Sequence, residues 1–338
     1  MTLDPRYLAT ALQHLEEALE ARAALTADPG TTAYRVVDVG AEADWSLDAY
    51  GRDLVLGLLP DLRTPLEPAV VARELADGRE LAHALGTRLH ARAVYLKLRP
   101  LQANTVVDAT AAGLTPSEPV FGLEAAPGGA GVVLENGLHF HVRLGEGLPT
   151  GIYLDQRDNR RWLLDNAAGL RVLNTFAYTC AFSVAAAAGG AARTVSLDAA
   201  GPALDIGQAN FALNDLTDPD KHDFLRGDVF HWLPRMTKRG DRFDLIVLDP
   251  PSYSRVKQQR FSAAQDYATL VATALGLLAP GGQLLACTNA LGLNGKQLEQ
   301  KVREGAKSAG REVVEVQHRP TALDHPSGRM KALVVRLR

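Results

Sequence analysis

The residues best suited to chemistry stand where apolar runs stop. Residues 243–248 form a short run rich in β-branched side chains, the pattern of a strand buried on both faces of a sheet. It ends in Asp249-Pro250-Pro251-Ser252-Tyr253. Two consecutive prolines forbid helix and ladder hydrogen bonds alike, so the chain must leave the sheet stiffly at the strand's carboxyl end. A carboxylate and an aromatic ring are thereby presented where open α/β sheets bind ligands. The competing reading is a strand that merely closes in a proline turn.

Three earlier run ends carry groups suited to a nucleoside. Residues 172–182 read as a buried strand turning into a helix, with Asn174, Phe176, Tyr178 and Thr179 at the turn. Backbone N–H groups and a helix N-terminus at such a turn favour an anionic group on a ligand. Cys180 and Ala181 stand where glycines are usual, which weakens the glycine-rich pattern. Asp198 follows at about two dozen residues, the spacing at which an acidic residue reaches ribose hydroxyls in nucleotide-binding folds. Capping of the helix near Pro202 is its alternative. Asp228 ends the third run, where a carboxylate could accept a hydrogen bond from an adenine amino group or cap the next helix. Acidic residues at three successive strand ends are harder to ascribe to capping than any one of them alone.

The elements that must position these groups alternate regularly. Strands are predicted over 171–177, 193–198, 223–226, 243–248, 283–288, 312–317 and 332–337, with helices over 182–188, 202–214, 229–237, 263–278 and 296–309. That rhythm implies an α/β fold, a doubly wound and mostly parallel Rossmann-like sheet. The earlier part reads as α+β: a helix over 5–27, β-like pieces at 34–39 and 53–58, a helix over 66–85 and strands at 92–98, 118–124, 131–135 and 138–144. Asn136-Gly137 joins the last two as a hairpin. We therefore divide the chain into an N-terminal α+β domain, residues 1–148, and an α/β domain, residues 149–338.

Several of these motifs together resemble a known family. The segment Thr150-Gly151-Ile152-Tyr153-Leu154-Asp155-Gln156-Arg157-Asp158-Asn159-Arg160, the turn from Asn174 to Phe182, Asp198, Asp249-Pro250-Pro251 and Asp324-His325-Pro326 resemble the bacterial 23S ribosomal RNA large-subunit methyltransferases. These are class I S-adenosylmethionine-dependent enzymes with cytosine-C5 and guanine-N7 branches. The resemblance covers roughly residues 130–338, and a looser likeness over residues 34–51 extends it into the N-terminal domain. A PUA module, found in the cytosine-C5 members, is not recognisable in this chain. The resemblance implies a seven-stranded sheet whose last strand inserts antiparallel, S-adenosyl-L-methionine as cofactor, ribosomal RNA as substrate and substrate recognition by the N-terminal domain. It also implies cofactor contacts from Asp155, Arg157, Arg160, Asn174, Phe176, Tyr178, Thr179, Asp198, Asp228 and Asp249. Catalytic roles fall to Asp249, Pro250, Pro251, Tyr253 and Asn289. Physically, Arg157, Arg160 and Arg161 suit a carboxylate or phosphate, or else an interdomain salt-bridge network.

The family's two branches call for different chemistry. Methylation at cytosine C5 needs a nucleophile, normally a cysteine thiolate that adds to the ring. Against the family pattern, Asn289 occupies the position of that cysteine, and Cys287 lies two residues earlier within the predicted strand. The guanine-N7 branch is therefore expected, since N7 already carries a lone pair and catalysis is mostly positioning. Asp249 would orient the acceptor, Tyr253 would stack on the base and Asn289 would bind its edge.

Composition narrows the alternatives. With 46% hydrophobic and 22% charged residues the chain falls in the soluble globular class, and no apolar run of about 20 residues marks a membrane span. No secretory signal is recognisable, and a cytoplasmic location is expected. Cys180 and Cys287 are far apart in apolar settings, so neither a metal site nor a disulfide is expected. A homodimer is compatible with the chain. The net charge of −3 requires any RNA contact to be local. Arg255, Lys257 and Arg260, then Lys296, Lys301, Arg303 and Lys307, supply candidate cations, or a solvated helix face. No Gly-x-Gly-x-x-Gly follows a predicted strand, which argues against a dehydrogenase. A methyltransferase for a small molecule or protein, and a non-catalytic nucleotide-binding scaffold, are the rival classes.

Overall fold

Asp4 and Pro5 start the first helix. The Asp4 carboxylate accepts the Arg6 N–H at 2.8 Å, and proline takes the first turn, where its missing N–H costs nothing. The computed structural model describes residues 3–60, 67–99, 113–256 and 259–338, with backbone alone at 254–256 and 259–260. Two units emerge: Met1–Asp155 with Leu323–Ser327, and Gln156–Ala322 with Gly328–Arg338. The division thus falls after Asp155 and not after residue 148, and a short late segment belongs to the first unit.

In the first unit α1 (Pro5–Ala21) and α2 (Ala23–Thr26) replace the single helix expected over 5–27. The break is at Arg22, whose buried guanidinium pairs with Glu42. Strands β1 (Ala33–Val37), β2 (Trp45–Tyr50) and β3 (Asp53–Leu58), helix α3 (Pro68–Arg88), and strands β4 (Ala93–Leu98) and β5 (Phe121–Gly122) build a five-stranded sheet in the order of the chain. The β3/β4 pair, joined through α3, is parallel; the others are antiparallel. Leu15 and Ala18 of α1 and Leu81 and Leu85 of α3 cluster with Trp45, Leu47, Leu56 and Leu96. Strand β2 was not foreseen; every one of its residues is buried, Ser46 and Asp48 included. Asp48 is tolerated there through its pair with Arg35 at 2.7 Å. Strands β6 (Ala130–Glu135) and β7 (Leu138–Arg143) form the expected hairpin, with φ of +53° at Asn136 and +79° at Gly137.

The second unit begins with α4 (Arg157–Asn166) and continues through β8 (Arg171–Thr175), α5 (Ala181–Ala188), β9 (Arg193–Asp198), α6 (Gly201–Leu213), β10 (His222–Arg226), α7 (Val229–Arg239) and β11 (Phe243–Leu248). A hairpin of β12 (Tyr253–Val256) and β13 (Gln259–Ser262), α8 (Ala263–Leu275), β14 (Leu278–Thr288), α9 (Gly295–Ser308), β15 (Val313–His318) and β16 (Lys331–Leu337) complete it. The seven-stranded sheet runs β10-β9-β8-β11-β14-β16-β15, parallel up to β14. Strand β16 inserts antiparallel between β14 and β15, as the sequence implied. Leu245, Ile246, Val247 and Leu248 of the central β11 are completely buried, each contributing about 1.5–3 kcal/mol of apolar burial. The β12–β13 hairpin was not foreseen. Among the described residues no helix is long and apolar enough to cross a membrane.

Candidate active site

Because β8, β9, β10, β11 and β14 are parallel, their carboxyl ends share one edge of the sheet. Chain order reverses between β8 and β11, which pair directly, so a switch-point crevice opens there. Asn174, Asp198, Asp228, Asp249 and Asn289 all lie along this edge.

The turn from β8 to α5 is held in an uncommon backbone conformation. Phe176, Tyr178 and Cys180 have φ of +54°, +49° and +60°, in the left-handed region that non-glycine residues rarely occupy. Cys180, at the α5 N-cap, explains why the sequence pattern looked deficient in glycine: a glycine conformation is present without the glycine. Three contacts brace the turn. Asp198 accepts the Tyr178 N–H and the Ala200 N–H, each at 2.8 Å, and Asn210 of α6 donates to the Thr179 carbonyl at 2.9 Å. Asp198 is therefore not the side-chain cap of α6, which has none. Burial pushes the Cys180 thiol up to about 12, so it stays protonated at neutral pH.

Beneath the turn runs a buried polar chain. Asn174 Nδ2 donates to Ser183 Oγ at 3.0 Å, and Ser196 Oγ donates to the same oxygen at 2.8 Å. Asn174 is 1% exposed, yet its Oδ1 has no hydrogen-bond partner. An orphaned buried acceptor at a strand end costs about 1–3 kcal/mol unless a ligand donates to it. Phe176 is half-buried against Phe230 and Phe261, with ring centroids 6.2 and 6.5 Å away. Asp228 caps α7, its Oδ1 accepting the Phe230 N–H at 2.9 Å; the capping alternative is realised for that oxygen.

On the other side of the crevice, the loops after β11 and β14 are joined. Ser252 Oγ donates to Asn289 Oδ1 at 2.6 Å, which engages the amide oxygen of the exposed Asn289. Tyr267 of α8 lies beneath, its hydroxyl 3.2 Å from the Leu248 carbonyl and 2.9 Å from that of Cys287. Burial raises this phenol well above its usual range, so it remains a donor. Lys331 Nζ holds the Ala290 carbonyl at 3.0 Å. Pro250 is buried and Pro251 exposed, and Tyr253, 41% exposed, stands clear of the sheet. Cys287 is completely buried, as expected for a packing residue. Asp249 is half-buried, and its Oδ2 accepts from Gln156 Nε2 at 2.9 Å. Ser252, Tyr267 and Gln156 were not singled out from sequence as site residues.

Carboxylates and amides along the carboxyl edge of a parallel sheet suit a nucleoside ligand. The sequence profile of the S-adenosylmethionine-dependent methyltransferases matches residues 116–336. The chain belongs to this family. Ribosomal RNA large subunit methyltransferase I of Aeromonas salmonicida is 35% identical over 97% of this chain and 80% of that protein. The protein of the same name from Serratia proteamaculans is 42% identical over a shorter stretch, 57% of this chain and 49% of that one. Among solved structures, SMU.776, described as a methyltransferase and complexed with SAH, superposes with a TM-score of 0.80 at 28% identity, covering 97% of this chain and 81% of its own.

The remaining expected site residues of this methyltransferase lie elsewhere or are engaged. Asp155 falls in the first unit, half-buried in a 3-10 turn, Leu154–Gln156. Arg157 and Arg160 are buried; Arg157 pairs with Asp158 at 3.3 Å and Arg160 stacks over Phe182 at 5.7 Å. Arg161 points to solvent and pairs with Asp165. His325, of the Asp324-His325-Pro326 motif, is 6% exposed beside Asp324 within the first unit. There, Asp324 Oδ2 accepts the Arg35 N–H, and Asp38 accepts the Ser327 N–H. On α9, Arg303 pairs with Glu299 and Lys301 with Glu304, which favours the solvated-face reading of that helix. Lys257 lies outside the described residues, as do the side chains of Arg255 and Arg260. Among the described residues no group of three or more His, Cys, Asp or Glu is placed to hold a metal ion.

Proposed function

We propose that this methyltransferase modifies a guanine base of large-subunit ribosomal RNA at N7. Ribosomal RNA as substrate is supported by the names of its relatives. The choice of N7 is carried by one observation: Asn289, where a cytosine-C5 enzyme needs its nucleophile, is an exposed amide whose oxygen is taken by Ser252, which leaves its NH₂ to meet a base. Next to N7, guanine presents O6, an acceptor; next to C5, cytosine presents an N4 donor. An amide NH₂ complements the first and opposes the second. Cys287, with no exposed surface, has no access to a base.

When bound, S-adenosylmethionine supplies an electrophilic methyl on a sulfonium. The residues at hand fit it. The orphaned Asn174 Oδ1 offers an acceptor to the cofactor's ammonium, and the α5 N-terminus with Arg157 and Arg160 favours its carboxylate. Asp198 has carboxylate lone pairs left for ribose hydroxyls, and Asp228 has its second oxygen for the adenine amino group. Phe176 offers an apolar ring face alongside, while Tyr178 and Thr179 set the turn.

On the acceptor side, Pro250 and Pro251 stiffen the tip, Tyr253 stacks on the base, and Asn289 donates to O6. N7 accepts a methyl without losing a proton, so no general base is required. The ring gains positive charge, and the Asp249 carboxylate is placed to stabilise it.

Two outcomes test this division of labour. Asp198→Ala should weaken cofactor binding about tenfold in a calorimetric titration, the scale of a lost charge-assisted hydrogen bond. Unaltered affinity would remove the ribose role. Cys287→Ser should keep most of the turnover while Asn289→Ala lowers it about tenfold. A covalent adduct at Cys287 with a fluorinated cytosine substrate would instead place the protein in the cytosine branch.

A further inference from the structure

Four polar side chains of the second unit form a line that ends on Asp249. Arg319 Nε donates to Asn159 Oδ1 at 3.4 Å, Asn159 Nδ2 to Gln156 Oε1 at 2.6 Å, and Gln156 Nε2 to Asp249 Oδ2 at 2.9 Å. Gln156 and Asn159 are 1% and 5% exposed, so water does not substitute for these bonds. The direction of the line is forced by chemistry. A guanidinium has no acceptor, so Asn159 must turn its oxygen toward Arg319 and its NH₂ toward Gln156. Gln156 must then turn its own oxygen to Asn159 and its NH₂ to the carboxylate. The thioether of Met330, a weak acceptor 3.2 Å from the same Nε2, agrees with that orientation. Arg319 is itself fixed by the Asp158 carbonyl at 3.3 Å and by stacking over Trp162 at 5.9 Å.

We propose that Arg319, acting through Asn159 and Gln156, is a positioning residue for methyl transfer: it forces a hydrogen-bond donor onto Asp249 and so fixes that carboxylate's orientation and charge. Aligned bonds of this kind polarise one another, and the last donor favours the ionised acceptor. The inference rests on the role proposed above for Asp249. The other charged or titratable groups around this line are Tyr267 on α8, whose hydroxyl faces main-chain carbonyls, and the buried Cys287 on β14. On α4, Arg157 pairs with Asp158 and Arg160 stacks over Phe182, and on β16 Lys331 holds the Ala290 carbonyl.

The test uses the full chain, S-adenosylmethionine and protein-free large-subunit ribosomal RNA, with kcat/KM followed against pH. Gln156→Leu should lower kcat about tenfold and move the acidic limb up by about one pH unit, the equivalent of one lost donor to a carboxylate. Arg319→Met should move both in the same direction, and Arg319→Lys, which keeps a donor, should restore them. Cofactor affinity should hold in all three. A loss of turnover with the limb unmoved, or an Arg319→Lys variant no better than Arg319→Met, would reduce the line to a structural brace. Asp249→Asn separates the two levels. If that variant turns over like the wild type, the proposed role of Asp249 fails; if it is inactive while Gln156→Leu is normal, only the relay fails.

Discussion

Asp249→Ala should lower turnover by roughly two to three orders of magnitude while cofactor affinity changes by no more than about twofold, because the carboxylate acts on the acceptor as charge develops. Its place supports this. Asp249 leaves the carboxyl end of the central strand β11, behind four completely buried residues, and one oxygen is already held by Gln156. The cofactor contacts proposed above come from α4, β8, the start of α5, β9 and the start of α7, and not from Asp249. Tyr253→Ala should act differently. A base stacked on an aromatic ring is worth about 1–3 kcal/mol, so KM for RNA should rise by about tenfold or more, with a smaller effect on kcat. Isothermal titration with cofactor and steady-state kinetics with RNA separate the two. If either variant failed to bind cofactor, the assignment of this loop to the acceptor would be wrong.

Gly207→Ala should destabilise the protein by about 2–3 kcal/mol, the cost of forcing a methyl into a packed core. A Cβ at Gly207 would stand 2.4 Å from Cys180 Sγ and 3.0 Å from Cys180 Cβ. Helix α6 thus provides the space for a cysteine side chain at a left-handed position where glycine would be easier. Cys180→Gly alone should change stability little: relief of the backbone, about 1–2 kcal/mol, offsets the lost packing of a buried thiol. Combined with Gly207→Ala, it should remove most of the penalty. Urea denaturation of the four members of the cycle measures the coupling. Additive effects would mean that the two sites do not share this space.

The second unit was legible because its inner strands β8, β9, β11 and β14 carry short apolar runs that are largely buried, separated by Ala-rich or amphipathic helices. Strands β9 and β11 keep their predicted bounds. The first unit was less so. Strand β2 alternates as Trp45-Ser46-Leu47-Asp48-Ala49, yet all of it is buried, which Asp48 tolerates only through a pairing to Arg35 that no local pattern announces. The strand expected over 118–124 shrank to Phe121–Gly122. Within the site, side chains at strand ends were readable because topology alone brings them to one edge. Their partners were not. Ser252 and Asn289 are 37 residues apart, and Gln156 and Asp249 are 93 apart; no local pattern announces such pairs. Conversely, Arg161 and the charges of α9 fit an RNA or cofactor role by composition, and their ion pairs turn them into surface structure. The missing glycine at Cys180 was visible, but not its counterpart on α6, since the compensation lies in a neighbouring helix.

The central claim is transfer of a methyl group to guanine N7 by a site that holds an amide, and no accessible thiol, against the base edge. Mass spectrometry of nucleosides from large-subunit ribosomal RNA incubated with the protein and isotopically labelled S-adenosylmethionine tests it most directly. Labelled 7-methylguanosine, abolished by Asp249→Ala and formed normally by Cys287→Ser, is the predicted result. Labelled 5-methylcytidine, or no labelled nucleoside, would contradict it.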